Sequence, residues 1–154
     1  MSKSKKTTPS MVDITAKPEV YREAIAQGKI RLKPETVQLI KKGQIEKGDP
    51  LSTAKIAGTL AAKNTSQLIP LCHPLPITNV QIHTKISDEH VEVEATVKTT
   101  AKTGVEMEAL VAATVALLTI WDMTKQYEKD AHGQYPSTSI EEIRVVKKTK
   151  AERK

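Results

Sequence analysis

The sequence is poor in residues that mark several common protein classes. Its 154 residues include no phenylalanine, and tryptophan and tyrosine together total four. The single cysteine, Cys72, excludes an internal disulfide framework and a cysteine zinc cluster. So few aromatic side chains leave little material for the stacking platforms that bind single-stranded nucleic acid. Disulfide-stabilised domains and single-strand binders are therefore disfavoured.

Long hydrophobic runs are also missing. The longest, residues 109–121, is interrupted by threonines and is too short to span a bilayer. Residues 1–10 carry lysines but no apolar segment, so we expect no secretory signal. Apolar residues make up 38% of the chain and charged residues 27%. This balance predicts a folded domain without a membrane partner, for which a cytoplasmic location is the simplest interpretation.

The net charge of +6 is concentrated at the chain ends. Residues 1–6 and 147–154 contain eight basic residues and one acidic residue, whereas the rest contains 16 basic and 17 acidic residues. The body therefore carries a charge of −1, and a basic binding surface on it is not indicated. Charged ends usually serve solubility, so we expect no nucleic-acid partner.

The chain divides into a polar N-terminal arm (1–16), a single α+β domain (17–147) and a basic tail (148–154). Within the domain, proline and glycine positions indicate where elements begin and end. They predict helices over residues 18–27, from Pro34 to Gly43 and from Asp49-Pro50 onward, with a short strand at 29–32. Three prolines in residues 68–76 exclude a regular helix or a central strand there.

The second half of the domain shows clear periodicities. Alternating apolar residues predict a β-hairpin with strands over 80–86 and 91–98. Residues 105–129 switch to a helical period, with an apolar stripe that we expect to be buried: Met107, Leu110, Val111, Leu118 and Trp121. Residues 140–146 form a predicted final strand. The order β, α, β, β, α, β predicts a ferredoxin-like α+β sandwich, an antiparallel sheet with helices packed on one face.

Four residue clusters could carry chemistry, and two of them lie before or within the proline-rich segment. Lys47 and Gly48 precede a predicted helix start, where an anion can bind, although these residues taken alone favour a capped helix beside a solvated lysine. Cys72 and His73 are adjacent, so their side chains diverge and a cysteine nucleophile is disfavoured. His73 suits a rigid ligand, an acid–base group or a structural histidine. The other histidines lack metal-ligand spacing with it, so we expect no metal site.

The other two clusters lie on the long predicted helix. Glu106 and Glu108 fall in its first turn, where acidic residues complement the helix dipole. Asp122 and Lys125 are three residues apart near its other end and share one face. They are either a surface ion pair or, in a cleft, a proton-transfer pair.

Two long segments resemble one family: KGDPLSTAKIAGTLAAKNTSQLIPLCHPL (47–75) and KTGVEMEALVAATVALLTIWDMTK (102–125). Together with MVDITAK (11–17), they resemble the molybdenum-cofactor biosynthesis protein C family, the cyclic pyranopterin monophosphate synthases. The chain departs from the family pattern at Ser10, where a histidine is common, and in a longer loop at 131–138.

The resemblance implies an activity and an assembly. Family members are lyases that convert (8S)-3′,8-cyclo-7,8-dihydroguanosine 5′-triphosphate to cyclic pyranopterin monophosphate and diphosphate, without an organic cofactor. They assemble as homohexamers, trimers of dimers, with sites between subunits. By the same resemblance, Lys47 and Lys125 carry acid–base work and Asp122 orients or charges Lys125. The implied substrate-binding residues are Leu71, Cys72, His73, Met107 and Glu108 for the ring system, with Arg22 and Lys148 for the phosphates.

Two other classes remain open from the residues alone. A ferredoxin-like sandwich can also be a small-molecule-binding regulatory module. Convergence of Lys47, Asp122 and Lys125 would favour the enzyme, because a regulator has no need of two lysines aimed at one substrate. An RNA-binding sandwich would carry aromatic residues on its central strands, and residues 80–98 contain none.

Overall fold

A computed structural model describes Lys5 and residues 7–151. Its elements, in chain order, are β1 (Val20–Arg31), α1 (Pro34–Lys41), α2 (Pro50–Lys63), α3 (Thr65–Leu68), β2 (Ile77–Ile86), β3 (His90–Ala101), α4 (Glu106–Glu128) and β4 (Ser139–Ala151). The strands form one sheet in the order β2-β3-β1-β4, and all neighbouring strands are antiparallel. The helices α2 and α4 pack on this sheet. The predicted α+β fold is confirmed, and the strand order is compatible with the ferredoxin-like arrangement.

The hairpin and three of the predicted helices are confirmed, but the predicted helix over residues 18–27 is wrong. These residues lie in β1, a central strand paired with both β3 and β4. Every second residue of β1 is buried, including Ala24, Ala26 and Ile30. The helix prediction rested on residues of good helix propensity, and pairing with two distant strands overrides that local preference.

Small residues bring α2 and α4 close together. Gly58 of α2 faces α4, and a Cβ atom placed on it would lie 2.9 Å from the carbonyl oxygen of Ala112 and would overlap Ile82 Cδ1. Ala54 on α2 and Ala116 on α4 are fully buried in the same layer. These small side chains allow the backbones of α2 and α4 to approach closely.

The side of α4 that is buried differs from the expected one. The residues facing the sheet and α2 are mostly alanines with Leu117 and Ile120, whereas Met107 and Leu118 of the predicted stripe are exposed. Because α2 approaches closely, this side of α4 has room mainly for small side chains, which explains why its alanines are buried instead of the predicted stripe. With 23 residues, α4 is long and apolar enough to cross a bilayer, contrary to the expectation of a shorter run. More than half of that window is buried within the fold, as in a core helix.

The last strand is longer than predicted. β4 continues from Ser139 to Ala151, because the lysine-rich residues after Val146 continue to pair with β1. In this register Lys148 lies opposite Ala24, on the face that carries the helices. Part of the predicted basic tail is therefore strand, and one of its lysines lies next to the start of α4.

Candidate active site

Lys47, Asp122 and Lys125 form one cluster at the C-terminal end of α4. Lys47 Nζ lies 3.1 Å from Asp122 Oδ2, and Lys125 Nζ lies 3.1 Å from Asp122 Oδ1. Hydrogen bonds from Lys125 and then from Lys47 hold the pKa of Asp122 below its usual range. All three side chains are about half exposed, so the cluster is open to a ligand.

The segment before α2 directs Lys47 toward α4. Asp49 caps α2, because its Oδ1 accepts a hydrogen bond from the Leu51 N–H at 3.0 Å. Gly48 has a φ of +112°, a conformation that favours glycine, and it turns the chain just before the cap. The simple interpretation of a capped helix therefore holds for Asp49. Lys47 instead contacts Asp122, 75 residues away in sequence.

Cys72, His73 and Glu108 meet at the opposite end of α4. Cys72 Sγ donates to Glu108 Oε1 at 3.8 Å, and His73 Nε2 lies 2.8 Å from the carbonyl oxygen of Val12. Burial raises the pKa of Glu108. Burial, followed by the nearby charge of Glu108, also raises the pKa of Cys72. Burial therefore disfavours the charged forms of both Glu108 and Cys72 at this end of α4.

The N-terminal arm reaches this second cluster. The carbonyl of Val12 contacts His73, and Lys102 Nζ donates to the carbonyl oxygen of Thr15 at 3.0 Å. Asp13 Oδ1 accepts hydrogen bonds from the N–H and hydroxyl of Thr15 and closes a local turn. The arm, His73 and Lys102 line an open pocket of about 440 Å³.

Arg22 and Lys148 lie around Glu106 at the same end of α4. Lys148 Nζ is 2.7 Å from Glu106 Oε1. Burial, the largest single cause, raises the pKa of Glu106, but the hydrogen bonds from Lys148 and the backbone together with the charges of Lys148 and Arg22 outweigh it, and the net pKa is lowered. Arg22 is buried and donates to the carbonyl oxygens of Ala101 and Lys102. The two cations expected to bind phosphates are thus neighbours. Lys148 is exposed, whereas Arg22 holds the loop before α4.

Leu71 and Met107 complete this end with apolar surface. Both side chains are exposed, at 45% and 38%. Leu71 directly precedes Cys72 and Met107 directly precedes Glu108, so both border this cluster. An uncharged ring system stacked here would cover apolar surface that the single chain leaves in water.

The expected site residues therefore form two groups rather than one. Asp122 lies 16 positions after Glu106 in α4, which is about 24 Å at 1.5 Å per residue. Lys47, Asp122 and Lys125 form the lysine cluster at one end of the sheet. Arg22, Lys148 and residues 71–73 and 107–108 form the ring-and-phosphate cluster at the other.

Comparisons with known proteins identify the family to which the chain belongs. The chain matches the MoaC family over residues 11–151. The chain belongs to the MoaC family. A protein of Pyrococcus abyssi named "Probable cyclic pyranopterin monophosphate synthase" is 59% identical over 140 residues, covering 91% of this chain and 88% of the relative. Relatives with the same name in Sulfurisphaera tokodaii and Methanoregula boonei are 55% and 54% identical, covering 94% and 92% of this chain and 95% and 92% of theirs.

The sequence left two contacts of this MoaC-family chain unassigned. Glu106 was visible as a first-turn acid, but its partner Lys148 comes from β4 and could not be read from local pattern. Val12 was assigned only to a polar arm, yet its carbonyl contacts His73. Backbone contacts between distant segments leave no signal in residue types. Within Lys5 and residues 7–151, no group of three or more His, Cys, Asp or Glu side chains is placed to hold a metal ion.

Cys72 of this MoaC-family chain should tolerate substitution by serine. Burial and Glu108 raise the pKa of the Cys72 thiol, so little nucleophilic thiolate is present near neutral pH. A serine hydroxyl can still donate to Glu108. We expect Cys72→Ser to keep a rate within about tenfold of wild type, measured by product formation. A covalent adduct on Cys72, seen by mass spectrometry after incubation with substrate, would contradict this assignment.

Proposed function

We propose that this chain is a cyclic pyranopterin monophosphate synthase, a phosphorus-oxygen lyase acting in the cytoplasm. Its substrate would be (8S)-3′,8-cyclo-7,8-dihydroguanosine 5′-triphosphate, and its products cyclic pyranopterin monophosphate and diphosphate. The observation that carries the proposal is the convergence of Lys47 and Lys125 on Asp122. Family membership and the names of close relatives support the same activity.

The lysine cluster suits the proton transfers of this reaction. Opening the purine ring and closing the pyran ring require protons to leave and arrive at several atoms, without any change in redox state. Two amines beside one carboxylate can act as acid and base in turn. In this proposal Lys47 and Lys125 move the protons, and Asp122 orients both amines through its two oxygens.

The ring-and-phosphate cluster suits substrate binding. The Lys148 amine, on leaving Glu106, could pair with an entering phosphate, and Arg22 adds a second positive charge nearby. Cations here would stabilise the departing diphosphate. Leu71, Cys72, His73, Met107 and Glu108 would hold the ring system, because they combine exposed apolar surface with a thiol, an imidazole and a carboxyl group.

The separation of the two clusters supports a site shared between subunits. At about 24 Å apart, they cannot both reach one substrate within a single chain. In the proposed homohexamer, a trimer of dimers, a two-fold axis would place the lysine cluster of one subunit opposite the ring-and-phosphate cluster of its partner. Two equivalent sites per dimer would follow.

Two experiments test this proposal. The purified chain should convert the cyclised guanosine triphosphate derivative to product with release of one diphosphate per turnover; no conversion under conditions where the protein is folded would refute the activity. Mixing Lys125→Ala chains with Arg22→Ala/Lys148→Ala chains should restore about a quarter of the wild-type rate, because half of randomly formed dimers are mixed and one of their two sites is intact. No restoration would refute the shared site.

The basic ends should contribute unequally to this function. Deleting residues 1–8 removes three lysines and no proposed ligand, so we expect KM and kcat to remain within about twofold of wild type. Lys148→Ala should raise KM about tenfold, because a charge-assisted hydrogen bond to phosphate is lost. Steady-state kinetics compare the two variants. Nucleic-acid binding at near-physiological salt that is tight in the full chain and lost on truncation would favour a polyanion binder instead.

A further inference from the structure

Two successive residues of the last turn of α4 hold the chain on the N-terminal side of Lys47. The Glu46 backbone N–H donates to the hydroxyl oxygen of Tyr127 at 2.8 Å, and Gln126 Nε2 donates to Glu46 Oε2 at 2.9 Å. Glu46 is therefore attached through both its backbone and its side chain. Neither Tyr127 nor Gln126 belongs to the lysine cluster described above.

The rest of the segment leaves Lys47 little freedom except in its side chain. Ile45 is buried in the core, and the Gly48 N–H donates to the Ile45 carbonyl at 3.0 Å. Gly48 is followed directly by the capped start of α2. The backbone of Lys47 is thus held on its N-terminal side by the buried Ile45 and by the attachment of Glu46 to α4, and on its C-terminal side by the turn at Gly48.

The hydrogen-bond partners of Lys47 and of its neighbour Glu46 both come from α4. Asp122 accepts a hydrogen bond from the Lys47 amine, and Tyr127, five residues later in α4, accepts one from the backbone N–H of Glu46. The same helix therefore sets the position of the Lys47 backbone and of the carboxylate that the Lys47 amine contacts. A shift of the segment relative to α4 would change the distance between them.

We propose that Tyr127, assisted by Gln126, is a positioning residue that sets Lys47 against Asp122 for the proposed reaction. Tyr127 acts through its hydroxyl, which accepts the Glu46 N–H, and it does not touch the substrate. The role in catalysis rests on the proposed function. The placement of Lys47 can be measured without any activity.

Tyr127→Phe tests the inference, because it removes one hydroxyl and keeps the ring that packs against the core. Tyr21→Phe is the matched control. It also removes a hydroxyl that makes a hydrogen bond, in this case to Glu23 near the N-terminal end of β1. We expect Tyr127→Phe to lower kcat about three- to tenfold with KM within about twofold, the range that loss of one hydrogen bond produces. Tyr21→Phe should leave both constants unchanged.

The second readout is the rate at which an amine-specific reagent modifies Lys47, followed by mass spectrometry with Lys63 as the internal reference. In Tyr127→Phe, Lys47 should react at least about twofold faster, because a displaced amine loses the hydrogen bond to Asp122 that shields it from the reagent. Lys63 should react at the wild-type rate. The double variant Tyr127→Phe/Gln126→Ala should increase the Lys47 rate further.

Each outcome has a separate meaning. Unchanged labelling of Lys47 in both variants would overturn the positioning role, whatever the kinetics show. Faster labelling of every lysine together with a lower melting temperature would also overturn it, because that pattern indicates general loosening. Selective labelling of Lys47 in a chain that makes no product would support the positioning role and refute the proposed function.

Discussion

Alanine at Lys47, Asp122 or Lys125 should abolish most turnover while leaving the protein folded. General acid–base groups contribute about 10²- to 10⁴-fold, and we expect losses of that size in kcat for each variant. The three side chains are about half exposed and contact mainly one another, so their removal should cost little stability. Steady-state product formation and melting temperature, measured together, separate catalysis from folding.

Lys63→Ala is the matched control for the lysine variants, because Lys63 is an exposed lysine at the end of α2. It should retain full activity. The three substitutions should also be non-additive: combining Asp122→Ala with Lys47→Ala should cost little more than the worse single change, since the groups act as a unit. Near wild-type rates in all three single variants would show that the lysine cluster is not the catalytic centre.

Glu128→Ala should cause the largest loss of stability. Glu128 is fully buried at the end of α4 and accepts hydrogen bonds from the Lys33 N–H and from the hydroxyls of Thr36 and Thr138. It thereby joins the start of α1, the end of α4 and the start of β4. Removing it leaves several buried donors without an acceptor, so we expect the free energy of unfolding to fall by about 3 kcal/mol or more.

Glu128→Gln is the conservative comparison, because its amide oxygen can still accept some of these hydrogen bonds. We expect it to lose less than half as much stability as the alanine variant. Urea unfolding at one fixed protein concentration measures both, since association would otherwise contribute to the apparent stability. A loss below about 1 kcal/mol for Glu128→Ala would show that the buried donors find other partners.

Local pattern predicted those elements whose residues carry their own signal. The hairpin of β2 and β3 was predictable because apolar and polar residues alternate along both strands, and α2 because Asp49 and Pro50 mark its start. β1 was not predictable in the same way. Its Ala24 and Ala26 suit a helix by propensity, and only the distant partners β3 and β4 make them strand residues.

The site was predictable only in part, for a related reason. Asp122 and Lys125 share a helix face, so their contact follows from spacing alone. The contacts between Lys47 and Asp122, and between Lys148 and Glu106, join segments far apart in sequence. The pattern before α2 marked Lys47 only as a neighbour of a helix start, and the resemblance to a known family supplied its acid–base role and the choice of Lys148. The Tyr127 hydrogen bond to a backbone N–H had no signal of either kind.

The attachment of α4 at both ends restricts where the length of this chain can vary. Glu106 is tied to β4 through Lys148, and Glu128 is tied to α1 and to the start of β4. One residue inserted between them would rotate everything beyond it by about 100° and advance it by about 1.5 Å, turning Asp122 and Lys125 away from Lys47. Natural insertions and deletions should therefore accumulate in residues 129–137 and at the chain ends, and α4 should keep one length across all functional relatives.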